Sequence, residues 1–286
     1  MPIHKIPPRS IRYLAVFMLV ILGGCASSRE KATDLAHDAG WQWTIISTGT
    51  FDLATARPSE RRGQTLWVYI EGDGFAFRTP TDPSSDPTPS DPIALRLALA
   101  HPGSNPVAYI ARPCQFVLPD RGRNCKQDYW TNARYAPEVV DSVNQAIDVL
   151  EKETGASQLI LAGYSGGGSL ALLAAAKRKD VAGLVTVAAN LDLAYWTKRD
   201  GLTPLTGSLD PADAAYAVAS IPQIHFTGAS DEVVGTDVVQ AFLVRLPPGS
   251  PVRVIKMPGF THSCCWADHW KELVESPAVT GILAHQ

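Results

Sequence analysis

The sequence predicts a single α/β domain with helices on both faces of a mostly parallel central sheet. Three observations predict this fold: apolar runs alternate with helix-like segments through the second half of the chain, those runs contain almost no polar residues, and no linker-like stretch divides the chain. Continuous apolar strands joined by helices are typical of a parallel sheet that is buried on both faces. A length of 286 residues suits one large domain.

The composition is that of a globular protein. Hydrophobic residues make up 45% of the chain, charged residues 19%, and the net charge is -3. This balance argues against disorder. The chain is also not basic enough to suggest nucleic acid as a partner.

Residues 1–24 have the features of a signal peptide. Three basic residues precede an apolar run at 13–22 that is too short to span a bilayer comfortably. The run ends in LGGC, which resembles the lipobox of bacterial lipoproteins, where cleavage precedes a lipidated cysteine. Cys25 is therefore the expected lipidation site, and three acyl chains, palmitate among them, would anchor the protein in a membrane. The alternative is a plain secreted protein with an accidental cysteine.

Residues 25–40 are polar and predict a tether between the anchor and a domain at 41–286. Residue 26 is alanine rather than the aspartate that marks inner-membrane retention. In a Gram-negative host we therefore expect the protein on the periplasmic side of the outer membrane.

The other four cysteines would meet an oxidising compartment after export, so disulfides are expected. Cys114 and Cys125 flank a short polar loop, and a bond between them would contribute roughly 2–3 kcal/mol. Cys264 and Cys265 are adjacent. They form a vicinal disulfide, stay reduced or pair elsewhere, and the sequence does not choose among these.

The regular elements follow from local pattern. β-Branched and aromatic residues predict strands at 41–51 and 65–71, and a proline-rich stretch at 79–92 predicts a loop. A helix begins at Pro137, repeats apolar residues at helical spacing and ends at Gly155. The remaining predicted strands are 106–112, 158–162, 183–189, 222–227 and 252–257. The remaining predicted helices are 93–100, 168–179, 237–246 and 266–275, and residues 190–221 form a mixed insertion.

One serine stands where a buried strand meets a helix. Residues 163–167 (GYSGG) match G-x-S-x-G, a motif that requires a strand before it and a helix after it. Glycines are expected at 163 and 167, because side chains there would collide with the neighbouring strand and helix. The turn lifts the Ser165 hydroxyl above the sheet edge, beside the positive end of the helix dipole. Ser165 is the candidate nucleophile.

A serine hydroxyl needs a base to take its proton, and His262 is the candidate. It lies downstream, in a loop after the last predicted strand, whereas His225 lies inside a strand and is expected to be structural. The imidazole in turn needs a carboxylate to fix its tautomer. Asp231 follows the strand at 222–227 and is the favoured acid, and Asp192, after the strand that follows the serine, is the alternative.

Acyl chemistry also needs two backbone N–H groups that point at the developing negative charge. Gly166, directly after the serine, supplies one candidate. The turn EGDG after the strand at 65–71 supplies the other, from either Asp73 or Gly74.

With these residues identified, the chain from 41 to 286 resembles the α/β-hydrolase superfamily. More narrowly it resembles a bacterial exported, lipoprotein-like group of such proteins, through the segments ARPCQ (111–115), NLD-x-x-x-W (190–196) and GSLDP (207–211). The superfamily implies an acyl-enzyme on Ser165, a small ester or other acyl substrate, and no cofactor. A peptidase or thioesterase would use the same residues. A non-catalytic envelope binding protein on the same fold is the other alternative.

The insertion at 190–221 is a candidate cap over the substrate pocket. Its apolar side chains either line an acyl or aromatic site or pack the insertion onto the core. These side chains are Tyr195, Trp196, Leu202, Leu205 and Leu209.

A metal site is not expected. The cluster considered is His262, Cys264, Cys265 and His269. Adjacent cysteines rarely ligate one zinc ion, and the usual C-x-x-C spacing is absent from this stretch.

Overall fold

The computed structural model describes residues 27–60, 62–117 and 122–283. The predicted signal peptide and Cys25 lie outside the described residues. The strands are β1 (Trp41–Ser47), β2 (Asp52–Pro58), β3 (Thr65–Ile70), β4 (Phe77–Thr79), β5 (Asp82–Pro83), β6 (Val107–Ile110), β7 (Gln158–Tyr164), β8 (Val181–Val187), β9 (Gln223–Gly228) and β10 (Val252–Met257). The helices are α1 (Ser28–Asp38), α2 (Ile93–Leu99), α3 (Pro137–Thr154), α4 (Gly166–Ala175), α5 (Leu193–Arg199), α6 (Gly235–Leu243), α7 (Trp266–Glu275) and α8 (Pro277–Leu283).

Eight strands form one sheet in the order β1-β2-β6-β3-β7-β8-β9-β10, and β4 pairs with β5 in a separate hairpin. Strand β2 runs antiparallel to both of its neighbours, and every other pair in the large sheet is parallel. The central strands are almost entirely buried. The predicted mostly parallel sheet with flanking helices is therefore confirmed.

Two apolar clusters cover the two faces of this sheet. One cluster packs α3, α4 and α6 against the first face, and the other packs α1, α2 and α7 against the second. Along β3, Val68 belongs to the first cluster and its neighbours Trp67 and Tyr69 to the second. This alternation follows from the two-residue period of a strand.

Helix α3 begins and ends where its sequence predicts. Pro137 is in the first turn, where its missing N–H costs nothing. Gly155 follows the last turn with φ +71°, the left-handed conformation that glycine adopts most readily. The face that carries Val139, Val143 and Ile147 is buried against the sheet.

The predicted tether at 25–40 contains a helix, α1. Ser27 caps it, with its side chain accepting from the Glu30 N–H while the Glu30 carboxylate accepts from the Ser27 N–H. Ala32 and Ala36, one turn apart, are fully buried in the second core cluster. The S-x-x-E capping box was the sequence signal that the tether interpretation overlooked.

The predicted strand at 41–51 and the predicted helix at 168–179 have different bounds in the structure. The strand ends at Ser47, and the chain turns back through β2, which sequence reasoning left without structure. Helix α4 begins at Gly166, directly after the serine, and ends at Ala175. None of the described helices is long and apolar enough to cross a bilayer.

The parallel strands end together at one edge of the sheet. Ile70 of β3 pairs with Gly163 of β7, and Gly228 of β9 pairs with Met257 of β10. The loops that leave these strands therefore meet, as loops at the carboxyl edge of an open α/β sheet do. Each of the candidate functional residues at 73, 165, 231 and 262 lies on one of these loops.

Candidate active site

Ser165 occupies a sharp turn between β7 and α4. Its backbone has φ +51° and ψ -124°, a conformation that is strained for a residue with a side chain. The Ser165 N–H donates to the carbonyl of Val187 at 2.8 Å, and its own carbonyl accepts from Gly168 at 2.9 Å. These two hydrogen bonds hold the strained turn, which leaves the hydroxyl in a cleft at the sheet edge.

The glycines around the serine are there because backbone atoms come too close for a side chain. A Cβ at residue 163 would lie 2.2 Å from the carbonyl oxygen of Gly167, and one at 167 would lie 2.1 Å from that of Ile70. The collisions expected from the sequence at these two positions are confirmed. A Cβ on Gly166 would instead lie 2.0 Å from a carboxylate oxygen of Asp73.

His262 lies in the loop between β10 and α7 and reaches the serine. Its Nε2 is 3.0 Å from the Ser165 Oγ. The indole N–H of Trp266 donates to the carbonyl of His262 at 2.9 Å. The Trp266 side chain is itself part of the buried core. Helix α7 therefore holds the loop that carries the imidazole.

Asp231 completes a chain of hydrogen bonds. Its Oδ2 is 3.0 Å from the Nδ1 of His262, and its Oδ1 accepts from the N–H groups of Val233 and Val234 at 2.9 and 3.0 Å. The Asp231 side chain is only 2% exposed. Burial alone would raise the pKa of this carboxyl, but the hydrogen bond from His262 and the two backbone donors outweigh burial and lower the pKa.

The alternative acid, Asp192, does something else. It is the N-cap of α5, where its Oδ1 accepts from the N–H of Tyr195 at 2.8 Å. The structure thus brings together Ser165, His262 and Asp231 and leaves Asp192 in a helix cap. His225 is fully buried on β9 with Nδ1 at 2.8 Å from the Thr186 hydroxyl, a structural position, and burial lowers its pKa to about 3.

Residues 72–74, here called the 72–74 loop, face the serine turn. Gly74 has φ +67°, and a Cβ there would lie 2.1 Å from the carbonyl of Pro87, so the position needs glycine. The Gly72 N–H donates to Glu71 at 3.0 Å. The N–H groups of Asp73, Gly74 and Gly166 have no acceptor within the described part of the chain. The sequence analysis proposes Gly166, together with either Asp73 or Gly74, as the oxyanion donors.

The side chain of Asp73 is held by three residues that sequence reasoning did not single out. Arg134 Nη1 donates to Oδ2 at 2.7 Å, Arg112 Nη1 donates to Oδ1, and the Tyr135 hydroxyl lies 3.0 and 3.2 Å from the two oxygens. Burial alone would raise the pKa of the Asp73 carboxyl, but the two guanidiniums outweigh it and lower the pKa to about 2. Arg112 belongs to the ARPCQ segment, which was the available signal.

Glu71, two residues earlier, is buried, and no cation among the described residues binds it. Its carboxylate accepts from the N–H groups of Gly72 and Ala94 and from the Tyr109 hydroxyl, at 3.0, 3.2 and 3.1 Å. Burial raises the pKa of Glu71 to about 7, although these hydrogen bonds act in the opposite direction. Two carboxyls on one loop thus have opposite pKa shifts, because only one of them faces arginines.

The serine and histidine open into a cleft of about 530 Å³. A second cavity of about 520 Å³ adjoins it, and the two share Phe77, Arg134 and Trp196. Of the insertion residues singled out from the sequence, Trp196 lines both cavities and Leu202 and Leu205 line the second. Tyr195 is instead exposed and bonded to Asp237, and Leu209 packs against the core.

Both cysteine pairs beyond Cys25 are bonded. Cys114 is joined to Cys125, as predicted, and Cys264 is joined to Cys265, one of the three outcomes that the sequence left open. Across the described residues, no group of three or more His, Cys, Asp or Glu side chains is arranged to hold a metal ion.

Comparison with known proteins identifies the fold. No protein-family model matches the chain, and no curated protein matches it. Solved structures do match, among them an alpha-beta serine hydrolase homologue from Coxiella burnetii (19% identity, TM-score 0.56, covering 84% of this chain and 97% of that one). Another is the alpha/beta hydrolase GrgF from Penicillium sp. sh18 (13% identity, TM-score 0.60, covering 85% of this chain and 99% of that one). A third is Est1E from Butyrivibrio proteoclasticus (14% identity, TM-score 0.56, covering 81% of this chain and 95% of that one). At these identities the likeness concerns the fold, which is the α/β-hydrolase fold.

Proposed function

We propose that this protein is a serine hydrolase that cleaves a carboxylic ester through an acyl-enzyme on Ser165. One observation carries the proposal: two successive 3.0 Å hydrogen bonds link Asp231 to His262 and His262 to Ser165, at the floor of an open cleft. Nucleophile, base and orienting acid in this order are the parts that acyl transfer requires.

In the first half-reaction the Ser165 oxygen attacks the ester carbonyl carbon while its proton passes to Nε2 of His262. Asp231 holds the Nδ1–H and stabilises the imidazolium that forms. The carbonyl oxygen becomes an anion, and the N–H groups of Gly166 and of Asp73 or Gly74 stabilise it. The bond to the alcohol then breaks, and the imidazolium gives its proton to the departing alkoxide.

In the second half-reaction water attacks the acyl carbon. His262 takes the proton of that water, and the same N–H groups stabilise the second oxyanion. Collapse of this intermediate releases the acid and returns the proton to Ser165. Each proton is therefore passed on within the triad, and the cycle needs no co-reactant other than water.

The cleft walls favour an ester with an apolar group of moderate size. Phe75, Phe77 and Trp196 line the cleft beside the serine, and the second cavity extends it toward Leu202 and Leu205. Apolar walls with few polar groups are typical of small-molecule sites. We expect acyl or alcohol groups that reach the second cavity to be preferred over acetyl groups.

The test is a series of p-nitrophenyl esters of increasing acyl length, hydrolysed by the purified protein. We expect turnover that Ser165→Ala abolishes. Ser142→Ala is the matched control, because that hydroxyl is buried on α3 without a partner among the described residues. Turnover of thioesters or peptides alone would reassign the substrate class, and no Ser165-dependent turnover of any acyl substrate would favour a binding protein instead.

We also propose that Cys25 carries the lipid anchor, on the support of the signal-like residues before it. The experiment labels cells that make the protein with an alkyne analogue of palmitate and fractionates them. When Cys25 is changed to serine, the protein should no longer carry the label and should no longer be found in the membrane fraction. An unlabelled wild-type protein in the soluble fraction would point to a plain secreted protein.

A further inference from the structure

We propose that the ARPCQ segment (111–115), together with Arg134 and Tyr135, positions the 72–74 loop so that its N–H groups face the developing oxyanion. The inference rests on the proposed function, since it assigns these residues to the same site. It also gives a role to a sequence segment that the triad leaves unexplained.

The first support is the cage around the Asp73 carboxylate. Arg112 donates to one oxygen, Arg134 to the other at 2.7 Å, and the Tyr135 hydroxyl reaches both at 3.0 and 3.2 Å. Charge-assisted hydrogen bonds of this kind are directional as well as strong. Four contacts to one short side chain leave the backbone of residue 73 little freedom.

The second support is a separate tie to the loop backbone. The Gln115 Nε2 donates to the carbonyl of Gly72 at 2.9 Å, and the Gln115 Oε1 accepts from the Arg112 N–H at 3.2 Å. The ARPCQ segment thus binds the loop at two neighbouring residues, Gly72 and Asp73. The disulfide from Cys114 to Cys125 fixes the segment between Arg112 and Gln115.

The third support is the contact between the cage and the serine turn. A Cβ on Gly166 would lie 2.0 Å from Asp73 Oδ1 and 2.6 Å from the Tyr135 oxygen. The Asp73 carboxylate is therefore packed directly on the residue that supplies the other N–H donor. Its position sets the spacing between the amide of Gly166 and the amides of the 72–74 loop.

The cage is itself anchored from the insertion. Leu209 N–H donates to the Tyr135 carbonyl at 3.0 Å, and the Tyr135 N–H donates to the Ser208 hydroxyl at 3.1 Å. Both of these residues belong to the GSLDP segment. Arg134 is held by Nε donation to the Thr131 carbonyl at 2.7 Å, and Arg112 Nη2 donates to the Arg134 carbonyl.

Stability alone is a poor reason for this arrangement. Arg112 and Arg134 have side chains that are 4% and 8% exposed, and they share one carboxylate, so a net positive charge is buried. Desolvation of buried ion pairs commonly cancels their attraction, and apolar residues of equal volume often serve folding as well. A carboxylate that is held from several sides beside Gly166 instead serves the site, because it fixes the backbone amides that stabilise the charge of the transition state.

The experiment compares Arg134→Gln and Arg134→Lys with Arg178→Gln. Arg178 is the matched control, since its side chain is also 8% exposed and binds Asp148, Glu151 and Asp180 beyond the far end of α4. The measurements are kcat and KM for a short p-nitrophenyl ester, the melting temperature, and amide hydrogen exchange of residues 72–75, followed at the hydrogen-bonded amides of Gly72 and Phe75. Wild type and Ser165→Ala are run in parallel, so that turnover itself is judged separately.

We expect Arg134→Gln to lower kcat by about 10–100-fold, with KM changed less than about 3-fold, because displaced donors cost rate rather than binding. Arg134→Lys should recover part of the loss, and exchange at 72–75 should rise in Arg134→Gln alone. Arg178→Gln should lower the melting temperature and leave kcat and that exchange unchanged.

An unchanged kcat in Arg134→Gln, or an equal kcat loss in Arg178→Gln, overturns the proposal. If wild type hydrolyses no ester, the proposed function fails, and exchange at 72–75 alone decides: a rise in Arg134→Gln supports positioning and no rise overturns it.

Discussion

The turn that carries Ser165 is held by backbone packed on backbone, whereas the neighbouring 72–74 loop is held by charged side chains. Around Ser165, glycines let carbonyl oxygens approach within distances that no side chain tolerates. Beside this turn, the 72–74 loop is held through Asp73 by Arg112 and Arg134. The backbone packing around Ser165 tolerates almost no added side chain. The ion pairs around Asp73 should weaken stepwise as charge is removed. Substitutions in the two regions should therefore fail in different ways.

The largest effect is expected from the triad acid. Asp231→Asn should lower kcat by roughly 10³–10⁴-fold, because the amide no longer fixes the tautomer or stabilises the imidazolium. Asp192→Asn should change kcat little, since asparagine caps a helix about as well as aspartate. Steady-state kinetics on the two purified variants measure both values. The opposite ranking would return Asp192 to the role of acid.

The next effect tests the tolerance of the turn that carries Ser165. Gly167→Ala places a Cβ 2.1 Å from the carbonyl oxygen of Ile70 and 2.5 Å from that of Glu71. Because the end of β3 cannot move without breaking the sheet, we expect a loss of at least about 3 kcal/mol in unfolding free energy, a drop of roughly 6–12 °C in melting temperature.

Gly281→Ala is the control for that variant. A Cβ there meets nothing within 4 Å, and the residue lies in α8, where alanine is favoured over glycine by about 1 kcal/mol. Its melting temperature should match or exceed that of wild type. A Gly167→Ala protein as stable as wild type would show that the turn tolerates a side chain after all.

The stability of the fold should respond to pH through Glu71, the buried carboxyl directly before the 72–74 loop. Its pKa of about 7 in the folded chain lies above the ordinary value, so the folded state favours the protonated carboxyl. The stability it contributes is complete below about pH 4.5 and is lost as the pH rises through 7. Glu71→Gln mimics the protonated form. The variant should match wild type near pH 4.5 and be more stable at pH 8, by up to about 3 kcal/mol.

Melting curves of wild type and Glu71→Gln from pH 4.5 to pH 8 make the comparison. A stability difference that stays constant over that range would mean that Glu71 does not titrate there. A variant less stable than wild type at pH 8 would mean that its hydrogen bonds need the carboxylate.

The smallest effect concerns the disulfides. Replacing Cys114 and Cys125 together by serine should cost about 2–3 kcal/mol of unfolding free energy, since the bond closes a loop across 11 positions. Replacing Cys264 and Cys265 should cost clearly less, because adjacent residues lose little chain entropy when joined. Denaturant unfolding of the two double variants gives both numbers. Equal losses would contradict the loop-entropy argument.

The same contrast explains how much of the site could be predicted from the sequence. Ser165 and the glycines at 163 and 167 were found because their constraint is local, and the spacing of small residues records it. His262 and Asp231 were placed from strand order, since parallel strands end at one edge of the sheet. The loop at Asp73 was found in the same way.

What holds that loop could not be found in this manner. Arg112, Arg134 and Tyr135 reach Asp73 from 39 to 62 positions away. The ARPCQ segment marks Arg112 but does not indicate its partner, and nothing in the local pattern distinguishes Arg134 and Tyr135 from a surface arginine and a core tyrosine. The helix in the predicted tether was missed for another reason. Its capping box is a local signal, but a mean polar composition concealed it.

The proposed activity depends on a hydroxyl that is activated by its imidazole, and a fluorophosphonate probe tests this most directly. Mass spectrometry of the labelled chain should find one adduct, on the peptide that contains Ser165. The adduct should be absent from Ser165→Ala and should form far more slowly in His262→Ala, whose fold can be checked by its melting curve. A folded wild-type protein that takes up no probe, or a label that persists in Ser165→Ala, would contradict the account.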